Sequence, residues 1–181
     1  SAALEKGFTP ATVINDAPLF FDAGATGSQP WEPKNYDGNF DGPMSMRRGL
    51  AKSKNMISIR LLKAIGPSFA QQWVTKFGFE AEKNPPYLTM ALGAGAVTPM
   101  SMASGYAVLA NGGIRVNPVL ITRITDNRGR VLRQSPPVVI DESMRAIDAR
   151  NAFLMSQLMG EVARSGTAAK VYGTFRRMDL A

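Results

Sequence analysis

Ser53 and Asn55, one residue apart in the run Arg48-Gly49-Leu50-Ala51-Lys52-Ser53-Lys54-Asn55-Met56-Ile57-Ser58-Ile59, are the residues of this chain whose types and spacing best suit chemistry. A hydroxyl can relay a proton, and a carboxamide can donate and accept hydrogen bonds beside it. The 181 residues include no His and no Cys. That excludes a Ser-His-Asp triad, a thiol nucleophile and the usual zinc sites. Acid–base work then falls to Lys, Asp, Glu or Tyr, and serine–lysine acyl transfer is one of the few hydrolytic or acyl-transfer schemes this alphabet permits.

Such a pair needs an element to hold it. Ile57, Leu61, Ala64 and Ile65 follow at helical spacing, which places the triplet on a loop at a helix start. There Asn55 is expected to cap the following turn, while the hydroxyl and amide face a cleft. Lys54, between them, is expected to be a surface or rim charge. A short helix over Ser45 to Ala51 delivers Ser53, and the next, Met56 to Ile65, stops at Gly66. Pro67 opens a third helix with Phe69, Ala70, Trp73, Val74 and Phe77 on one face, a core stripe, closed by Gly78.

Thr98-Pro99 forms an N-cap and first-turn pair for a helix through Ala110, ended by Gly112-Gly113. Gly93-Ala94-Gly95 lacks the third glycine of a dinucleotide fingerprint and reads as a tight turn. Asp148 caps a helix bearing Ala152, Phe153, Ser156, Met159 and Ala163. Extended structure is expected in short pieces between Phe8 and Phe21, broken by Pro10 and Pro18, with loop from Asp22 to Pro43. Arg115 to Thr125 reads as a strand that returns through Asp126-Asn127-Arg128-Gly129 into Val131-Leu132, an edge hairpin.

Apolar residues make up 45% and charged residues 19%, the balance of a globular domain, and 181 residues suit one domain or part of one. The opening run Ser1 to Gly7 reads as the last turns of a helix, and Phe175 to Ala181 carries no turn signal, so both ends are expected to lie inside a larger domain. The net charge of +7 is scattered. Its tight clusters, Arg47-Arg48 and Arg176-Arg177, lack interleaved aromatics, so nucleic acid is not the expected partner. The basicity reads as surface charge suited to a polyanionic cell envelope. No apolar stretch approaches the roughly 18 residues of a membrane span.

Four further landmarks surround the triplet in order: Trp31-Glu32-Pro33-Lys34-Asn35-Tyr36, Met44-Ser45-Met46-Arg47-Arg48-Gly49-Leu50, Leu92-Gly93-Ala94-Gly95-Ala96-Val97-Thr98-Pro99-Met100-Ser101-Met102-Ala103, and Ala110-Asn111-Gly112-Gly113. Together with Ser53-Lys54-Asn55 they resemble the transpeptidase domain of the bifunctional class A penicillin-binding proteins. That family gathers Ser-x-x-Lys, Ser-x-Asn and Lys-Thr-Gly around one pocket. The resemblance spans nearly the whole chain. It implies an α+β fold, here mainly the helical lobe with a small β-hairpin, and makes residues 1–181 a single partial transpeptidase domain between the first and third motifs. No Ser-x-x-Lys occurs in the chain. Thr167-Ala168-Ala169-Lys170 and Arg164-Ser165-Gly166-Thr167 mimic the outer motifs but overlap at a helix end, and are set aside.

What the resemblance further implies is a peptidoglycan D,D-transpeptidase that cross-links stem peptides through a serine acyl-enzyme. Ser53 would relay a proton to the leaving amine, and Asn55 would hydrogen-bond the substrate's backbone amide and the lysine of a missing motif. Trp31 corresponds either to an aromatic beside the donor-peptide cleft or to a packing residue. The implied partners are a stem peptide ending in D-Ala-D-Ala, β-lactam antibiotics and the rest of the domain. No cofactor and no metal is implied. The parent protein would work on the periplasmic, extracytoplasmic face of the inner membrane, anchored by a segment outside this chain, with a glycosyltransferase in another domain. The chain alone would be inactive. The alternative is a non-catalytic binding or scaffold domain that kept the transpeptidase helices and lost the chemistry.

Overall fold

The computed structural model describes residues 1–26 and 29–175. Gly27, Ser28 and residues 176–181, with the Arg176-Arg177 pair and the Met178-Asp179-Leu180-Ala181 run, lie outside the described residues. Helix α1 (Ala2–Glu5) is followed by Gly7 at φ +87°. Strand β1 (Val13–Asp16) is the expected extended piece. It pairs antiparallel with β2 (Gly42–Ser45), in the register Val13 to Ser45 and Asp16 to Gly42. The intervening segment is not all loop, since a single turn, α2 (Ala23–Thr26), and a bridge between Phe21 and Trp31 interrupt it.

Ser45 ends β2 rather than starting a helix, and its Oγ accepts the Arg48 N–H at 3.3 Å to cap α3 (Met46–Ala51). A three-residue loop leads into α4 (Asn55–Ile65), which Gly66 stops at φ +88°. Pro67 takes the first position of α5 (Pro67–Thr75). Its stripe is core as expected: Ala70, Trp73 and Phe77 are buried, and Phe69 is partly so.

A 3₁₀ turn (Leu88–Leu92) ends in left-handed Gly93, the expected tight turn. Thr98 Oγ1 then accepts the Ser101 N–H at 3.1 Å and caps α6 (Pro99–Ala110). Asp148 Oδ1 likewise accepts the Arg150 N–H at 2.9 Å at the start of α7 (Ala149–Ser165), which is followed by α8 (Ala169–Phe175).

Two further expectations need correction. Of the stretch Arg115 to Thr125 only β3 (Arg123–Thr125) is strand, paired with β4 (Val131–Gln134) in an exposed hairpin. Among the described residues the preceding part has no neighbouring strand to ladder with, and the Arg115 N–H goes to the Met144 carbonyl instead. On α7, Ala152 and Ala163 are buried but Phe153 is 61% exposed, one residue round the helix from the face that meets the core.

The result is an α+β arrangement dominated by helices, with two small antiparallel sheets. One core cluster joins α5, α6 and the start of α7 through Trp73, Phe77, Val108, Leu109, Ile147 and Ala152. The other forms around Phe21, Met56 and Ile59, with Leu19, Trp31, Leu88 and Ala91 against it. This second cluster seats α4, the helix that Ser53 and Asn55 introduce.

Candidate active site

Helices α3 and α4 pack closely because Gly49 has no side chain: a Cβ there would meet Ile57 Cγ2 at 2.7 Å. The loop between them is closed by main-chain bonds, Ser53 N–H to the Leu50 carbonyl at 3.0 Å and Lys54 N–H to the Gly49 carbonyl at 2.9 Å. Making this turn forces Ser53 to φ +53°, the one non-glycine residue at positive φ among the described residues. A serine in that region persists only where its surroundings over-determine it, and such positions concentrate at functional sites. The Ser53 side chain is exposed, and its Oγ lies 3.5 Å from Thr167 Oγ1.

Asn55 is the first residue of α4, not its cap. The expected local cap is replaced by Asn35, 20 residues away, whose Oδ1 accepts the Asn55 N–H at 2.8 Å and the Met56 N–H at 3.4 Å. That leaves the Asn55 side chain free for other work. Its Nδ2 donates to the Lys34 carbonyl at 2.7 Å, which fixes the donor end of the amide and leaves Oδ1 to accept. An acceptor at that point suits a substrate N–H or an ammonium.

Lys54 is the plainest correction. Expected at the surface or rim, its side chain is 3% exposed. Its Nζ donates to Asp37 Oδ2 at 3.1 Å and to the Asn39 carbonyl at 3.2 Å, and lies 3.4 Å from Asp16 Oδ2 and 3.5 Å from Asp41 Oδ1. Burial pulls the Lys54 ammonium toward a lower pKa. The hydrogen bond to Asp37 and the charges of Asp16, Asp37 and Asp41 outweigh it, so the group titrates above the ordinary lysine value. It stays charged and does not serve as a base.

Around it, the Asn39 backbone N–H, and then Lys54, hold the Asp37 carboxyl below the usual carboxylate range. Lys52, whose Nζ is 2.7 Å from Asp41 Oδ2, leads the same effect on Asp41. Asp16 is fully buried. It accepts Asn35 Nδ2 at 2.8 Å on one oxygen and the Asp41 N–H at 2.9 Å on the other.

Trp31 is half-buried. It exchanges both main-chain hydrogen bonds with Phe21, and their rings stack with centroids 5.4 Å apart. It packs against the Phe21, Met56 and Ile59 cluster, on the buried side of the helix that Asn55 begins. Three cavities have volumes of about 210, 250 and 380 Å³; the last borders the Ser53 loop, lined by Ala51 and Lys52 together with Glu161 and Ser165 of α7, and Ser53 and Asn55 themselves line none of the three. Among the described residues no group of three or more His, Cys, Asp or Glu is disposed to hold a metal.

Sequence reasoning missed Asp16, Asn35 and Thr167. A carboxylate in the apolar strand run Val13-Ile14-Asn15-Asp16 was a usable signal, since a fully buried Asp needs a partner. Thr167 is correctly no part of a strand motif, because it lies between α7 and α8. Yet its N–H donates to the Ala51 carbonyl at 3.1 Å and docks it beside Ser53.

The model of the penicillin binding protein transpeptidase domain matches residues 1–179. The chain is 46% identical to penicillin-binding protein 1A of Neisseria flavescens, over 100% of its own length and 23% of that protein's. It is 45% identical to penicillin-binding protein 1A of Pseudomonas aeruginosa, over 100% of its length and 27% of that protein's. It thus spans about a quarter of the curated relatives it matches.

The crystal structure of penicillin-binding protein 1A from Haemophilus influenzae superposes with a TM-score of 0.89 at 31% identity, covering 98% of this chain and 31% of that one. A more distant neighbour in fold is PBPA from Mycobacterium tuberculosis, with a TM-score of 0.75 at 21% identity, over 90% of this chain and 40% of that one. With a family match along almost its whole length and the Ser-x-Asn loop seated at the start of α4, the chain belongs to the penicillin-binding protein transpeptidase domain family.

Proposed function

We propose that these residues form the Ser-x-Asn wall of a peptidoglycan D,D-transpeptidase, whose nucleophile and Lys-Thr-Gly motifs are supplied by sequence beyond the 181 residues. The observation that carries the reading is the geometry of residues 53–55. An exposed hydroxyl stands on a left-handed backbone, next to a carboxamide whose nitrogen is tied to the Lys34 carbonyl, which leaves its oxygen as the acceptor. In the reaction a serine attacks the carbonyl of the penultimate D-alanine of a stem peptide. The C–N bond to the terminal D-alanine breaks, and the proton lost by the serine reaches the leaving amine. Ser53 relays that proton, and Asn55 Oδ1 accepts the substrate's backbone N–H and a lysine ammonium. An amine of a neighbouring strand then takes the acyl group, and β-lactams acylate the same serine.

Trp31 is assigned to this wall through α4, which it seats from the core side, with any contact to donor peptide secondary to that. The protein is placed on the extracytoplasmic face of the inner membrane, with its anchor and a glycosyltransferase domain outside these residues. No helix among the described residues is long and apolar enough to cross a membrane.

The test is Ser53→Ala in the full-length protein carrying these residues. Acylation by a fluorescent penicillin is expected to slow by about 10²- to 10⁴-fold, the usual weight of a proton-transfer group. Unchanged acylation kinetics in a folded variant would remove Ser53 from the site.

A further inference from the structure

Ser53 is gripped from both sides by one loop. On its N-terminal side Lys52 pairs with Asp41, and on its C-terminal side the Lys54 ammonium is buried among Asp16, Asp37 and Asp41. Asn35, from the start of the same loop, completes the clasp. Its Nδ2 is held by the Asp16 carboxyl and the Asn39 carbonyl, both at 2.8 Å, so its Oδ1 presents a fixed acceptor to the first N–H groups of α4. Asp16 is in turn fixed by strand β1 pairing with β2, the strand that runs directly into α3. The loop's two anchors and the two helices flanking Ser53 therefore share one buried set of polar contacts.

We propose that Lys54, with Asp16 and Asn35, is the positioning unit for the Ser53 hydroxyl and the Asn55 amide, and that it is needed for acylation rather than only for folding. Two features of the structure argue for this. A left-handed serine is not the conformation its own backbone prefers, so something must hold it. Besides the main-chain bonds to the Leu50 and Gly49 carbonyls that close the turn, side-chain contacts anchor it at residues 52 and 54 and the Asn35 amide holds residue 55, on either side of the serine. Buried ionic groups are weak contributors to stability against well-packed apolar residues, but they fix geometry, because each donor has a definite partner. Reacting groups displaced by as little as 1 Å can lose about 10²-fold in rate. The Lys54 side chain is buried, so it acts through Ser53 and Asn55.

The inference rests on the reading of Ser53 and Asn55 as site residues, so the experiment carries a control for that reading. In the full-length protein, Lys54→Met, Asn35→Ala and Ser53→Ala are compared for the pre-covalent binding constant of a fluorescent penicillin and for the acylation rate constant, well below the unfolding temperature. Lys54→Met and Asn35→Ala are expected to slow acylation by about 10- to 100-fold while binding moves by less than about threefold. If Lys54→Met does not fold, Lys54→Met combined with Asp16→Asn leaves no charged buried carboxylate unpaired and answers the same question. A folded Lys54→Met or double variant that acylates at the wild-type rate, beside a slowed Ser53→Ala, overturns the proposal. So does an equal loss of binding and acylation, which marks a purely structural role. An unslowed Ser53→Ala would instead remove the site reading itself.

Discussion

At the residue scale the catalytic candidate carries a conformational cost that a glycine would not. Ser53 sits at φ +53°, a region that costs a non-glycine residue about 1 kcal/mol or more. Ser53→Gly is therefore expected to stabilise the domain by about 1 kcal/mol, a rise of roughly 2–4 °C in melting temperature for a domain of this size, while acylation falls as it does in Ser53→Ala. Thermal unfolding followed beside penicillin acylation checks both halves. An unchanged or lower melting temperature would mean the turn does not strain the serine. The same scale shows where local reading fails. Lys54 reads as a rim charge because lysine is almost never buried unless paired. Its partners come from positions 16, 37 and 41, and no window around residue 54 contains them.

At the scale of elements, helix starts with local caps were legible: Thr98 and Asp148 cap the helices expected of them, and Pro67 takes the first position of α5. The start of α4 was not, because its cap is a side chain 20 residues upstream. Strand β2 was also hidden. Gly42 and Pro43 read as loop, and only the β1 ladder makes them a strand.

The connection from α7 to α8 packs against the end of α3 beside Ser53. Gly166 passes so close to α3 that a Cβ would clash with the Ala51 carbonyl oxygen, a main-chain atom that cannot swing aside. Gly166→Ala is expected to cost about 1–3 kcal/mol in denaturant unfolding, and to slow acylation by moving Thr167 away from Ser53. A variant as stable as wild type would show that this connection yields freely.

At the scale of the whole molecule, the helices bury two clusters and leave other apolar surface uncovered. On α6, Met100, Met102 and Tyr106 are 54%, 42% and 56% exposed. The chain carries no Ser-x-x-Lys, so on the proposed reading the 181 residues by themselves are expected to form no covalent adduct with a fluorescent penicillin. Intact mass after incubation checks this, and stoichiometric labelling would place a nucleophile among these residues. The sequence alone determined the family, the order of the helices from α3 to α7 and the caps of α6 and α7, and it marked Ser53 and Asn55 as the pair to examine. These are carried by residue identity and by short-range periodicity, which act within a few turns of chain. Only the tertiary structure decided how the pair is held: a lysine buried among carboxyls, a helix capped from a distant loop, and a threonine brought in from the far end of α7. Each of those depends on contacts between residues 13 to 114 positions apart, and such contacts exist only once β1, α4 and α7 have packed.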